Sequence, residues 1–208
     1  CEQYQFHVMY HAVHNFCTVD LSATYLDILK DRLYTETADS RLRRSAQTAM
    51  YEILDSLVRI MAPFICFTAV EGKETSVHLA DWPAMKPQYL DNALAEKWNA
   101  RLALRSDVMK ALENARADKV IGHPLDADVT IYAEGDAYET LKAMGDFLSD
   151  FFIVSNVELV NDTSAAPADA LANEDGVRVS VAPSTRQKCE RCWKHLESRR
   201  MRALRPRS

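Results

Sequence analysis

The sequence predicts a mainly α fold: a helical bundle, then a small α+β unit, then a partial zinc knuckle. Three observations predict it. Apolar residues recur at helical spacing through most of the first 117 residues, the period drops to two near Val129, and Cys189 and Cys192 stand as a ligand pair. The expected segments are a bundle over 1–75, a junction subdomain over 76–182, and a knuckle with a basic tail over 183–208.

Residues 2–17 read as one helix, with Phe6, Met9, Tyr10, Val13 and Phe16 at helical spacing. A break is expected near Asp20, after which Ser22 caps a second helix whose face carries Tyr25, Ile28, Leu29 and Leu33. Two helices joined by a short break should pack as a hairpin. His7, His11 and His14 lie three and four apart; without a Cys or carboxylate partner they read as polar surface, a metal trio being the other reading. Ser40 to Met61 is the longest clear helix, with Ala46, Ala49, Met50, Ile53, Leu54, Leu57, Ile60 and Met61 as its stripe and Pro63 ending it. Arg41, Arg43 and Arg44 form a basic cluster at its start, placed either to meet a phosphate backbone or simply to be solvated.

Phe64 to Glu71 opens as a fourth helix, ended by a tight Gly72 turn. Ser76 to Pro87 is a connector. From Tyr89 to Ala117 a helical pattern returns, burying Leu90, Leu94, Trp98, Leu102, Val108, Met109 and Leu112; Trp98 on that stripe reads as core rather than as a base-stacking platform. Val129, Ile131 and Ala133 then alternate with Thr130 and Tyr132 in a strand, followed by a helix over Asp136–Asp150 and a strand over Phe152–Val160. Asn161 to Asp175 is an irregular loop, and Val177, Val179 and Val181 form a last short strand.

A hydrophobic content of 48% with 26% charged residues is ordinary for a globular chain and leaves enough apolar side chains for a core. No apolar run approaches the ~20 residues that cross a bilayer, so no membrane partner is expected. Five cysteines without a secretory signal favour reduced thiols and a cytoplasmic setting, with Cys17 and Cys66 buried and inert in apolar patterns. The chain begins at Cys1 within what reads as a helix, and is therefore expected to be a C-terminal fragment. Net charge is −5, but Ser184–Ser208 hold nine Lys or Arg against two Glu, so the rest carries −12. That end is where a polyanion would be met, the plainer reading being a solvated basic tail.

Cys189-x-x-Cys192 lets two thiolates reach one Zn²⁺ from a tight knuckle, and Lys188 and Arg191 beside them favour the thiolate form. A structural site needs four ligands. His195 is one candidate for a third ligand, with a water or a partner as the fourth; the other reading is that the reading frame changed after Trp193, leaving an accidental basic tail. No Gly-rich phosphate loop and no Ser/His arrangement is present, so no catalytic residues are assigned.

Five blocks stand in order: His14–Thr35, Met61-Ala62-Pro63-Phe64, Ser76–Pro83, Arg116-Ala117-Asp118-Lys119-Val120-Ile121-Gly122 and Lys188-Cys189-Glu190-Arg191-Cys192-Trp193. In wording and order they resemble the anticodon-binding region of bacterial isoleucyl-tRNA synthetases. The resemblance covers most of the chain; it departs where the fourth helix is shortened and where a second Cys pair would complete the zinc site. It implies a helical anticodon-binding domain, isoleucine tRNA as partner, a monomer, and ATP used by a catalytic portion whose His-Ile-Gly-His and Lys-Met-Ser-Lys-Ser motifs this chain lacks. It also implies that Trp193 stacks on an unpaired anticodon base while Arg191, Lys188 and Lys194 neutralise phosphates, the alternative for Trp193 being to pack over the knuckle. A reading from another class is a non-catalytic interaction domain, or the inactive truncated remnant of such a gene.

Overall fold

The computed structural model describes residues 5–66 and 76–197. The chain forms two compact units, Cys1–Asp31 with Ala93–Ser208, and Arg32–Asn92. The class is mainly α with a small mixed sheet, as the sequence predicts. Among the described residues no helix is long and apolar enough to cross a membrane.

The first helix does not break near Asp20. Phe6–Asn15 is α-helical (α1), Phe16–Leu26 continues as π-helix, and Asp27–Tyr34 returns to α geometry (α2). Both joints are helical, at φ −56°, ψ −47° for Phe16 and φ −64°, ψ −45° for Asp27. Ser22 lies inside the π segment, so the expected cap and hairpin are overturned. The run Thr18-Val19-Asp20-Leu21-Ser22 is poor in helix formers, which is why it reads as a break. The wider π turn absorbs it, and the Thr18 and Thr24 hydroxyls donate to the carbonyls of His14 at 2.8 Å and Val19 at 3.0 Å. His7, His11 and His14 are exposed, with the Tyr10 ring 5.3 Å from His11 and 5.7 Å from His14.

In the Arg32–Asn92 unit, Arg41–Met61 forms α3. Only Ala46 of its apolar stripe is fully buried, and Leu54 is exposed. Arg59 pairs with Asp55 one turn earlier at 2.8 Å, and Lys86 pairs with Glu52. Of the Arg cluster, Arg43 donates to the Glu36 carbonyl at 3.1 Å, while Arg41 and Arg44 are exposed. Cys66, expected inside, is exposed, and Cys17 is half-buried. The Gly72 turn and most of the expected fourth helix lie outside the described residues; Pro63–Cys66 form turns.

In the other unit, Asn92–Ala117 is α4. Its second half buries Leu104, Arg105, Val108, Ala111, Leu112 and Ala115, whereas Leu94 and Leu102, expected inside, are exposed. Trp98 packs on the core, its ring 6.0 Å from Phe151, as the core reading predicts. The sheet has the order β2-β1-β4-β3, formed by Ala127–Tyr132 (β1), Asn156–Val160 (β2), Leu171–Ala172 (β3) and Arg178–Pro183 (β4). β1 runs parallel to β2 and antiparallel to β4, with Ile131 opposite Leu159 and Val179. Period two puts Ala127, Val129 and Ile131 on the buried face of β1. β3 sits in the segment expected to be irregular; its return to β4 turns at Gly176, whose φ of 80° suits glycine.

The helix expected over Asp136–Asp150 is interrupted. Gly135–Lys142 is α5 and Leu148–Phe151 is α6, separated by a turn in which Gly145 takes φ 52°. The strand expected from Phe152 starts only at Asn156. Phe152 and Val154 are instead fully buried on a tight turn around Ile153 at φ 57°, with the Phe151 and Phe152 rings 5.1 Å apart. Burial of both faces made a turn resemble a strand.

Candidate nucleic-acid interface

Gln187–Lys188 (β5) and His195–Leu196 (β6) pair antiparallel, with Lys188 opposite His195, and between them the chain makes the Cys189–Trp193 turn. The Cys189 N–H donates to the Lys194 carbonyl at 2.8 Å and the Trp193 N–H to the Cys189 carbonyl at 2.9 Å. Trp193 takes φ 63°, a left-handed conformation uncommon for a bulky residue. The reversal sends successive side chains to opposite sides. Cys192, Lys194 and Leu196 are buried, and Trp193 is 63% exposed.

Each sequence-selected residue can now be placed. Lys188 and Arg191 are exposed, and the Lys188 Nζ donates to Asp126 Oδ1 at 3.1 Å. Lys194 is the correction: instead of reaching outward to a phosphate it turns inward, its side chain 8% exposed, and pairs with Asp31 at 2.7 Å and with Asp150. Burial works against that cation, but the carboxylates of Asp150 and Asp31 outweigh it and hold the ammonium above the usual lysine range. Sequence reasoning missed this although a signal existed. Cys192, Lys194 and Leu196 alternate with Trp193 and His195, so a two-residue period already put Lys194 on the face of a cysteine and a leucine.

His195 is held on every side. Its N–H donates to Ser155 Oγ at 2.6 Å, its Nδ1 donates to the Arg186 carbonyl at 2.7 Å, and its Nε2 lies 3.3 Å from Asp126 Oδ1. The Ser155 hydroxyl in turn donates to the Leu125 carbonyl. Burial would raise the Asp126 carboxyl, but Lys188 and His195 hold it below the usual carboxylate range.

Cys189 and Cys192 are buried with Leu196 in a small cluster of their own. Burial pushes the Cys192 thiol up to about 11. Burial also acts on Cys189, yet amide hydrogen bonds from Cys192 and Arg191 bring it below the ordinary thiol range. The pair supplies two of the four ligands of a structural zinc site. His195, the sequence candidate for a third, has both ring nitrogens directed to Arg186 and Asp126. Among the described residues no three His, Cys, Asp or Glu side chains come together to hold a metal. The described residues thus bring two zinc ligands together, and hydrogen bonds and ion pairs surround them.

The surface that results is an exposed indole on a hydrogen-bonded turn that also carries exposed Arg191, with exposed Lys188, paired to Asp126, on the strand leading into it. Such a surface can stack on a base and meet adjacent phosphates. A family model described as the anticodon-binding domain of tRNA ligase matches residues 1–131. Isoleucine–tRNA ligases are similar over nearly the whole chain. That of Moorella thermoacetica is 47% identical over 203 residues, covering 92% of this chain and 22% of the ligase. That of Carboxydothermus hydrogenoformans is 48% identical, covering 91% of this chain and 21% of the ligase. That of Geobacter sulfurreducens is 47% identical, covering 94% and 22%. The chain thus spans about a fifth of the length of the curated relatives it matches. With the family model covering more than half of its length, the chain belongs to the anticodon-binding domain family of tRNA ligases.

Proposed function

We propose that this chain is the anticodon-reading part of an isoleucine–tRNA ligase, acting in the cytoplasm on isoleucine tRNA, with Trp193 stacking on an unpaired anticodon base. In the whole ligase, ATP would activate isoleucine on a separate catalytic portion, and this part would hold the tRNA so that its acceptor end reaches that portion. The observation that carries the reading is an indole 63% exposed on a hydrogen-bonded turn, where an apolar ring of that size has no packing reason to be. Exposed Arg191 and Lys188 beside it suit the flanking phosphates. Lys194 has no part in that contact, because its charge is held by Asp31 and Asp150.

The test is a fluorescence titration of the 208-residue chain with isoleucine tRNA and with the same tRNA carrying a changed anticodon, at two salt concentrations. Tighter binding to the native anticodon is expected, and Trp193→Ala should weaken it by about 5- to 150-fold, the range of one base stack. Equal binding to both tRNAs, fading together with salt, would overturn the reading in favour of a basic tail on a remnant. ATP–pyrophosphate exchange by this chain alone is expected to be absent.

A further inference from the structure

We propose that Lys194 is a positioning residue for Trp193: anchored between Asp31 on α2 and Asp150 on α6, it fixes the turn that presents the indole. The inference rests on the reading of Trp193 as the stacking residue and gives that site its mechanical support.

The argument starts from the backbone. A tryptophan at φ 63° is held in a sparsely populated conformation, and a chain at liberty to relax would leave it. Something next to Trp193 must hold it there. Among the described residues two cysteines meet at this turn, and no third His, Cys, Asp or Glu joins them. Apolar packing is slight, since among the described residues Cys189, Cys192 and Leu196 form a buried cluster of their own. What remains is polar. The Lys194 carbonyl closes the turn by accepting from the Cys189 N–H, and the Lys194 ammonium runs inward to two carboxylates.

Those carboxylates are themselves fixed. Asp27, one helical turn before Asp31, lies 3.7 Å from the buried Arg105 guanidinium of α4, and that guanidinium lies over the Phe151 ring at 5.7 Å. Asp150 precedes Phe151, which is completely buried. The lysine therefore links the knuckle to elements that carry the buried Phe151 and the Asp27–Arg105 pair. Removing one partner of such a buried pair leaves the other charge uncompensated, so the anchor is all the harder to abandon.

The test uses the 208-residue chain labelled with 5-fluorotryptophan, in which Trp193→Phe assigns the Trp193 signal and the Trp98 signal reports the core. Without RNA, Lys194→Met and Asp31→Asn should each move the Trp193 resonance toward that of solvated indole while the Trp98 resonance stays. With isoleucine tRNA, both variants should lose affinity within the same 5- to 150-fold range as Trp193→Ala, roughly one base stack, with an unchanged dependence on salt. A direct phosphate contact predicts the reverse for Lys194→Met: an unmoved Trp193 resonance and a slope of log affinity against log salt reduced by about one. That pair of results would overturn the proposal. Should Lys194→Met also disturb Trp98, Asp31→Asn decides, since it keeps the Asp150 pair; an unmoved Trp193 signal there overturns the anchor. Failure of the stacking reading is separate, appearing as wild-type affinity in Trp193→Ala while the RNA-free spectra still judge the anchor.

Discussion

The sheet unit and the knuckle, joined through Ser184–Arg186, are ordered by different forces. In the first, Ala127, Val129, Ile131, Phe151, Phe152 and Val154 are almost completely withdrawn from water, and their order follows from apolar burial and close packing. In the second, apolar burial is confined to a small cluster of Cys189, Cys192 and Leu196, beside Lys194 between two aspartates, His195 against Ser155 and Asp126, and a backbone closure at Cys189. Apolar burial is indifferent to pH and salt at first order, whereas ion pairs and hydrogen bonds are directional and titrate. The knuckle should therefore respond to single-atom changes that the sheet ignores, and the sheet to lost volume.

Phe151→Ala is the largest expected effect. Removing a fully buried ring that touches Trp98, Phe147 and Phe152 should cost about 3–5 kcal/mol of global stability in urea unfolding, by lost burial and the cavity left behind. It should also loosen the knuckle, because Asp150 is its neighbour. Ser155→Ala comes next, and it cuts the comparison the other way. The Ser155 Oγ accepts from the His195 N–H and donates to the Leu125 carbonyl, so its loss strands two backbone groups at a cost of about 1–3 kcal/mol. Hydrogen exchange should show the amides of 193–196 opening while those of β1 remain protected. Equal loss of protection in both regions would erase the distinction drawn between them.

How much of this was legible in the sequence follows the same division. Forces that leave a periodic signature could be read: the stripe of α4 around Val108 and Leu112, the alternation of β1, and Trp98 as core. Residues whose place depends on partners distant in the chain could not. Lys194 looked like a phosphate contact because Asp31 and Asp150 are remote in sequence, and Asp20 looked like a break because weak helix propensity is overridden once neighbouring turns are in place. The Cys pair was legible as a motif, but its neighbours were not. Lys194, His195 and Leu196 each make specific contacts with partners remote in the chain, and no local pattern announces those partners.

Acid should separate the two regions next. The Asp126 carboxyl is held below the usual range by Lys188 and His195 against the opposing effect of burial. Its contribution is complete above the unfolded value of about 3.9 and is lost as pH falls through the lower folded one. Lys194 has the opposite sign: its raised value makes the contribution complete below about 10.4 and lost only as pH rises beyond that. The Trp193 resonance should thus move below about pH 4, before Trp98 does. Simultaneous movement of both would mean that the knuckle has no separate electrostatic dependence.

Trp193→Gly should give the smallest change in stability and one of opposite sign. Glycine adopts φ 63° without the side-chain clash that a tryptophan pays there. The exposed indole contributes little packing to the fold, so relief of strain should exceed what its loss removes, partly offset by the greater freedom of glycine in the unfolded chain. A gain of at most about 1 kcal/mol in knuckle stability is expected, read from slower exchange at the 194–196 amides. Recognition should move against stability, with anticodon discrimination falling as far as in Trp193→Ala. Trp193→Ala keeps the Cβ and the strain, so it should lose binding without the gain, and the pair of variants isolates the cost of holding an aromatic in a glycine's conformation. Were Trp193→Gly to destabilise the hairpin, the indole would be packing over the knuckle rather than waiting for a base.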